Sequence, residues 1–160
     1  MSVTTTREAV SATLTITTSA ARVFTVLADP TTHAAIDGTG WVQEPADPAP
    51  LTEAGQLFRM DMHHADHPNG DYRVVNKVVV LDAPRAIGWL TGYEKDNGDL
   101  VFGGWVWRYD LSPLSQTETE VTLTYDWSDV PQSGRDIIQF PPFGPDHLIN
   151  SLRHLAQLAA

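Results

Sequence analysis

The chain has 160 residues, 42% of them apolar and 19% charged, so one domain can bury about 69% of its unfolded surface without crosslinks or metals. Twenty acidic residues against ten basic ones give a net charge of −10, which repels phosphate backbones and anionic lipid and argues against nucleic-acid or membrane-surface partners. Cysteine is absent, which excludes disulfides, thiolate catalysis and Cys-ligated metals.

Residues 1–8 have no basic segment followed by an apolar run, so they read as a flexible tail and not as a signal peptide. No stretch approaches the roughly 18 apolar residues of a membrane-spanning helix. The expected location is cytoplasmic, and residues 1–160 read as a single domain. Residues 9–18 place Val10, Leu14 and Ile16 on one parity and Thr13, Thr15 and Thr17 on the other, the period of a strand. Ser19 is placed to cap a helix. Ala20 to Ala28 follow, with Val23, Phe24 and Leu27 on one face. Asp29-Pro30 stops that helix, and Pro30 suits the first turn of a second short one through Ala35. A turn at Asp37-Gly38 and Gly40 leads to a strand near Trp41–Glu44. The proline-rich stretch 44–50 reads as an extended surface loop.

Strands then repeat. Phe58, Met60 and Met62 alternate with Arg59, Asp61 and His63, and His67 to Gly70 form a turn. Over 71–81, Tyr72, Val74, Asn76, Val78 and Val80 stand opposite Arg73 and Lys77. Residues 86–92 put Ile87 and Trp89 on one side, and Asn97-Gly98 makes a hairpin turn. Residues 100–111 place Trp105, Trp107, Tyr109 and Leu111 opposite Arg108 and Asp110. Residues 117–127 place Val121, Leu123, Tyr125 and Trp127 opposite Thr122, Thr124 and Asp126. Gly144-Pro145-Asp146 opens a terminal helix in which Leu148, Leu152, Leu155 and Ala159 recur at helical spacing. The order β-α-α-β6-α predicts an α+β domain whose meandering antiparallel sheet has about seven strands and keeps its helices on one face.

That order resembles the START-like helix-grip superfamily, which includes polyketide cyclases and the major birch-pollen allergen, in the style of its bacterial members. Ala20-Ala-Arg-Val-Phe-Thr-Val-Leu-Ala-Asp-Pro30 resembles the family's first helix. Phe58-Arg-Met-Asp-Met62 and Tyr72-Arg-Val-Val-Asn-Lys-Val78 resemble its central strands. Ile87-Gly-Trp89 and Trp105-Val-Trp107-Arg-Tyr-Asp-Leu111 resemble the later ones. The resemblance implies a helix-grip fold, a curved sheet wrapped around a long C-terminal helix and enclosing an apolar cavity. Strand parity and the terminal helix then nominate its lining: Phe58, Met60, Met62, Tyr72, Val74, Asn76, Trp89, Trp105, Trp107, Tyr125, Trp127, Leu148, Leu152 and Leu155. At strand spacing alone such a stripe is more often plain core, and it is the helix-grip resemblance that favours cavity lining. Asn76 weighs more than the rest, because an inward amide must be hydrogen-bonded or lose about 1–3 kcal/mol. A bulge within 71–78 would instead turn it to solvent.

Other chemistry finds less support. His63, His64, Asp66 and His67 sit where a strand runs into a turn, and adjacent strand residues point to opposite faces, so an exposed polar end is expected and no metal. His33 and His147 are expected at the surface, with a gate role for His33 implied only by the family's cavity entrance. His154 adjoins the apolar stripe of the last helix and could dip inward. No Gly-x-Ser-x-Gly occurs. Gly103-Gly104 reads as a bulge or bend within a strand. Arg59, Arg73 and Arg108 fall on outward parity, which disfavours a cyclase that would hold a polar end with arginine.

The leading expectation is binding or transport of a hydrophobic or aromatic small molecule, lipid or polyketide-like, with no cofactor and no assigned catalytic residue. A polyketide cyclase or aromatase is the alternative, and a co-chaperone-like interaction module the third. A homodimer through sheet edges or the last helix stays open.

Overall fold

The computed structural model describes residues 2–5 by their backbone, and residues 8–37, 40–64 and 70–160 in full. The turn positions Gly38, His67, Pro68 and Asn69, and Asp66 of the histidine cluster, lie outside the described residues. The elements are β1 (Ser2–Thr5), β2 (Ala9–Ile16), α1 (Ala20–Leu27), a 3-10 turn (Pro30–Thr32), α2 (His33–Ile36) and β3 (Val42–Pro45). There follow β4 (Leu57–His63), β5 (Asp71–Asp82), β6 (Ala86–Glu94), β7 (Leu100–Pro113), β8 (Thr119–Asp126), α3 (Gln132–Arg135) and α4 (His147–Ala159). The strands form one antiparallel sheet in the order β1-β2-β8-β7-β6-β5-β4-β3. Strands β3 to β8 follow one another as antiparallel neighbours, while the α1–α2 crossover carries the chain from β2 to the far edge of the sheet. This is the helix-grip fold expected from the order of elements.

Local chemistry sets the first helical segment. Ser19 Oγ accepts from the Arg22 N–H at 3.2 Å and caps α1, which buries Ala20, Val23, Phe24 and Leu27. Asp29 then caps the 3-10 turn by accepting from the Thr31 N–H at 3.0 Å, with Pro30 in the first position. At the other end of the chain α4 buries Leu148, Ile149, Ser151, Leu152, Leu155 and Ala159 against β2, α1 and α2. It begins at His147, two residues after Pro145, where the sequence pattern predicts its first turn.

Three differences from the expected elements have physical causes. Residues 2–5 pair with β2, from Ser2 opposite Thr13 to Thr5 opposite Val10, so part of the expected tail extends the sheet to eight strands. The parity of β5 breaks at a bulge between Val78 and Val80. Beyond it Leu81, and not Val80, packs on the core, and Val79 is 38% exposed. Because the bulge comes after Asn76, that residue keeps its inward parity and is 6% exposed. Lastly, the short helix α3 forms between β8 and the terminal helix, where the order of elements predicts none. Arg135 ties it down, donating from Nη2 to the Trp127 carbonyl at 2.9 Å and from Nε to that of Val130 at 3.0 Å.

Gly103 and Gly104 do form a bulge. Between the pairs Leu90–Val106 and Gly92–Phe102, the single residue Thr91 faces Gly103, Gly104 and Trp105. Gly104 has φ +101°, a conformation that L side chains resist. A β-carbon there would lie 2.7 Å from the Asp129 carbonyl oxygen, so the absence of a side chain lets the 127–130 turn close against β7.

Candidate ligand-binding site

Where α1 gives way to α2, the inner face of the sheet is left partly uncovered. A half-open cavity of about 130 Å³ lies there. Its sheet wall consists of Met60 and Met62 from β4, Val74 and Asn76 from β5, Trp89 and Thr91 from β6, and Trp107 and Tyr109 from β7. Cross-strand pairing aligns these side chains in rows, since Met60 faces Val74, Asn76 faces Thr91 and Trp89 faces Trp107. Leu27, His33, Ile36, Asp37, Trp41 and Val42 close the opposite side.

Most of the wall is apolar, and its polar groups are held in place. The Thr91 hydroxyl donates to Asn76 Oδ1 at 2.7 Å. That bond satisfies the Asn76 carbonyl and leaves its Nδ2 group without a hydrogen-bond partner among the described residues. His33, expected at the surface, is only 9% exposed. Its ring stacks on Trp89 at 5.0 Å and 14° and meets the edge of Phe58 at 5.6 Å. His33 Nε2 lies 2.9 Å from the Leu27 carbonyl, one of the acceptors that the end of α1 leaves without an intrahelical donor. Burial pushes the His33 imidazole below its ordinary pKa, against the opposing pull of the Leu27 hydrogen bond and the Asp29 carboxylate, which keeps the ring neutral at pH 7.

Asp37 supplies the negative charge of this region and accepts from the Val42 N–H at 3.2 Å. Burial first, and the Asp37 carboxylate second, raise the hydroxyls of Tyr109 and Tyr72, so both stay protonated at neutral pH. No Lys or Arg is among the described lining residues. Arg59 pairs with Asp47 and Glu94 at 3.1 and 3.2 Å, Arg73 with Asp61 at 2.7 Å, and Arg108 with Asp110 at 3.0 Å, all on outward-facing positions.

Of the residues nominated from the sequence, Met60, Met62, Val74, Asn76, Trp89 and Trp107 meet around this cavity. Phe58 lies behind it, edge-on to Trp89 at 5.5 Å. Tyr72 is half-buried beside Met62 on the pairing strand. Tyr125, Trp127 and Trp105 belong to an adjoining aromatic cluster, which shares Trp107 with the cavity and is closed by Phe140 and Phe143 from the segment before α4. There Trp107 lies 4.5 Å from Tyr125, Tyr125 lies 5.0 Å from Phe143, and Trp105 lies 6.0 Å from Phe140. Leu148, Leu152 and Leu155 are buried under the sheet, where α4 fills the space. Sequence parity had a signal for Tyr109, on the same side of β7 as Trp107. For His33, Ile36, Asp37 and Trp41 it had none, because they come from short connecting segments without a readable period.

The other histidines divide by position. His63 Nδ1 pairs with Asp71 at 2.8 Å in an exposed setting, and the His64 ring lies 4.7 Å from Trp41. His154 Nδ1 reaches the Ile36 carbonyl at 3.1 Å and so tethers α4 to α2. His147, expected at the surface, instead packs 4.7 Å from Phe143 and 5.8 Å from Trp107, and burial lowers its pKa against the pull of Asp37. Among the described residues no group of three His, Asp or Glu is arranged to hold a metal, and no helix is long and apolar enough to cross a membrane.

No protein-family model matches the chain. It is 29% identical over 108 residues to an uncharacterized protein of Mycobacterium tuberculosis, covering 68% of this chain and 42% of that protein. The chain thus spans about two fifths of the length of that relative. Among solved structures it is similar to a protein from Arthrobacter aurescens, with a TM-score of 0.69, 14% identity and coverage of 99% and 90% of the two chains. It is also similar to the ZhuI aromatase/cyclase of Streptomyces sp. R1128, with a TM-score of 0.62, 17% identity and coverage of 94% and 92%. At these identities the likeness is one of fold alone, and the fold is the helix grip.

Proposed function

We propose that this protein binds a small, neutral aromatic or apolar molecule in the cavity between β4–β7 and α2. The observation that supports this reading is a half-open, aromatic-walled space of about 130 Å³ that retains an unpaired amide donor. Apolar walls with a few convergent polar groups are the usual composition of ligand sites. The volume is close to the roughly 150 Å³ of an engineered cavity that holds benzene, so one ring or a short alkyl chain fits. A lipid or polyketide would place only its end here and extend through the open side. A cyclase reading draws on the fold shared with an aromatase/cyclase. It finds no cationic side chain among the described lining residues to hold a polar chain end.

The test is an NMR titration with toluene as the probe. Saturable shifts in the indole N–H signals of Trp89 and Trp107 and the methyl signals of Met60 and Met62 are expected, with Trp127 unmoved. Absence of saturable shifts, or shifts centred on Trp127 and Trp105, would overturn the proposal.

A further inference from the structure

His33 is held in one tautomer. A carbonyl oxygen only accepts, so the Nε2 atom 2.9 Å from the Leu27 carbonyl carries the proton. Nδ1 of the neutral ring is then a bare acceptor, and no described residue donates to it. Among the described residues the one side-chain nitrogen or oxygen both sealed from solvent and unpaired is Nδ1 of His147. His33 Nδ1 is therefore not sealed, and the ring that bears it lines the cavity. Stacking on Trp89 occupies a face of the imidazole and leaves its edge free for an in-plane hydrogen bond.

Asn76 supplies the complementary group. Thr91 orients the amide by donating to Oδ1, which points Nδ2 away from that bond. Asn76 stands directly across β4–β5 from Phe58, whose ring meets His33 at 5.6 Å, so both groups belong to one end of the cavity. A bare acceptor and a free donor in an apolar cleft match a hydroxyl group, which donates through its hydrogen and accepts through its oxygen. Asp37 and the absence of a lining cation set the cleft against carboxylates.

We propose that His33 Nδ1 and Asn76 Nδ2 make this a hydroxyl-reading site, whose ligands are neutral molecules bearing a hydroxyl on an aromatic ring. The proposal rests on the cavity being a ligand site and names the ligand's chemistry. A buried polar pair left unsatisfied by an analogue discriminates strongly against it, so phenol should bind at least about tenfold tighter than toluene.

The experiment titrates the intact protein with phenol, anisole and toluene, following the Trp89 and Trp107 indole signals and the 15N resonance of His33 Nδ1. Phenol binding tightest, with that resonance moving from the bare-nitrogen range toward the hydrogen-bonded one, is the expected result. His33→Phe keeps an aromatic ring against Trp89 and should bring the phenol-to-anisole ratio close to one, because the Asn76 donor that remains serves both probes. Equal affinity for all three probes would overturn the hydroxyl reading while leaving the cavity as a ligand site. Anisole equal to phenol would remove His33 from it. Binding of none would overturn both proposals. If His33→Phe does not fold, the 15N measurement on the unaltered protein decides, and an unmoved Nδ1 resonance at phenol saturation refutes the proposal.

Discussion

Replacing Gly104 with Ala should cost about 3 kcal/mol, and the structure divides that cost into two parts. The first is backbone strain at φ +101°, about 1–2 kcal/mol for an L residue forced into a left-handed conformation. The second is steric. The new β-carbon would lie 2.7 Å from the Asp129 oxygen and 3.0 Å from the Val130 α-carbon, both backbone atoms that cannot rotate away, and overpacking of this kind costs about 1–3 kcal/mol. Gly98→Ala is the matched control. Its φ is +88° but nothing lies within 4 Å of the added carbon, so it bears the strain alone. Urea denaturation of both variants, with equal slopes, measures the difference. A chain of this size loses roughly 2–4 °C of Tm per kcal/mol, so Gly104→Ala should melt roughly 6–12 °C lower than the unaltered protein. If the two variants differ by less than about 0.5 kcal/mol, the 127–130 turn does not press on the bulge as described.

Two further outcomes follow from burial. His33 and His147 both have pKa values lowered by burial in the fold, so between those values and the ordinary 6.5 the unfolded chain binds more protons than the folded one. Stability should therefore be complete above about pH 7 and fall as pH drops from there through the folded pKa values, by about 1.4 kcal/mol per unit of depression for each histidine. Denaturation midpoints at pH 7.5, 6.5 and 5.5 check this, and stability that rises on acidification over that range would contradict it. Leu152 is 0% exposed between α4 and the sheet, and Leu152→Ala should cost about 2–5 kcal/mol while leaving toluene binding within about twofold at temperatures where the variant stays folded. Loss of binding in a folded Leu152→Ala variant would place the ligand under α4 and not at the Asn76 end.

Strand periodicity by itself determined which side of the strands turns inward, except beyond the β5 bulge at Val79, because alternation along an extended backbone is a local geometric property. Met60, Met62, Val74, Asn76, Trp89 and Trp107 were legible from that rule, and so was the bulge at Gly103-Gly104. The capping residues Ser19 and Asp29 and the prolines placed the short helices for the same local reason. Which part of the inward face is hollow was not legible. Phe140 and Phe143 fill one end of the sheet and α4 fills its middle, whereas α2 stops short of the other end and leaves space beside Trp89 and Asn76. That outcome depends on segments far apart in the chain and on the volumes of their side chains. His33 shows the same limit. Nothing adjacent in the sequence marks it as buried, and only the docking of the unpaired Leu27 carbonyl, Trp89 and Phe58 around one imidazole removes it from water and leaves its second nitrogen bare.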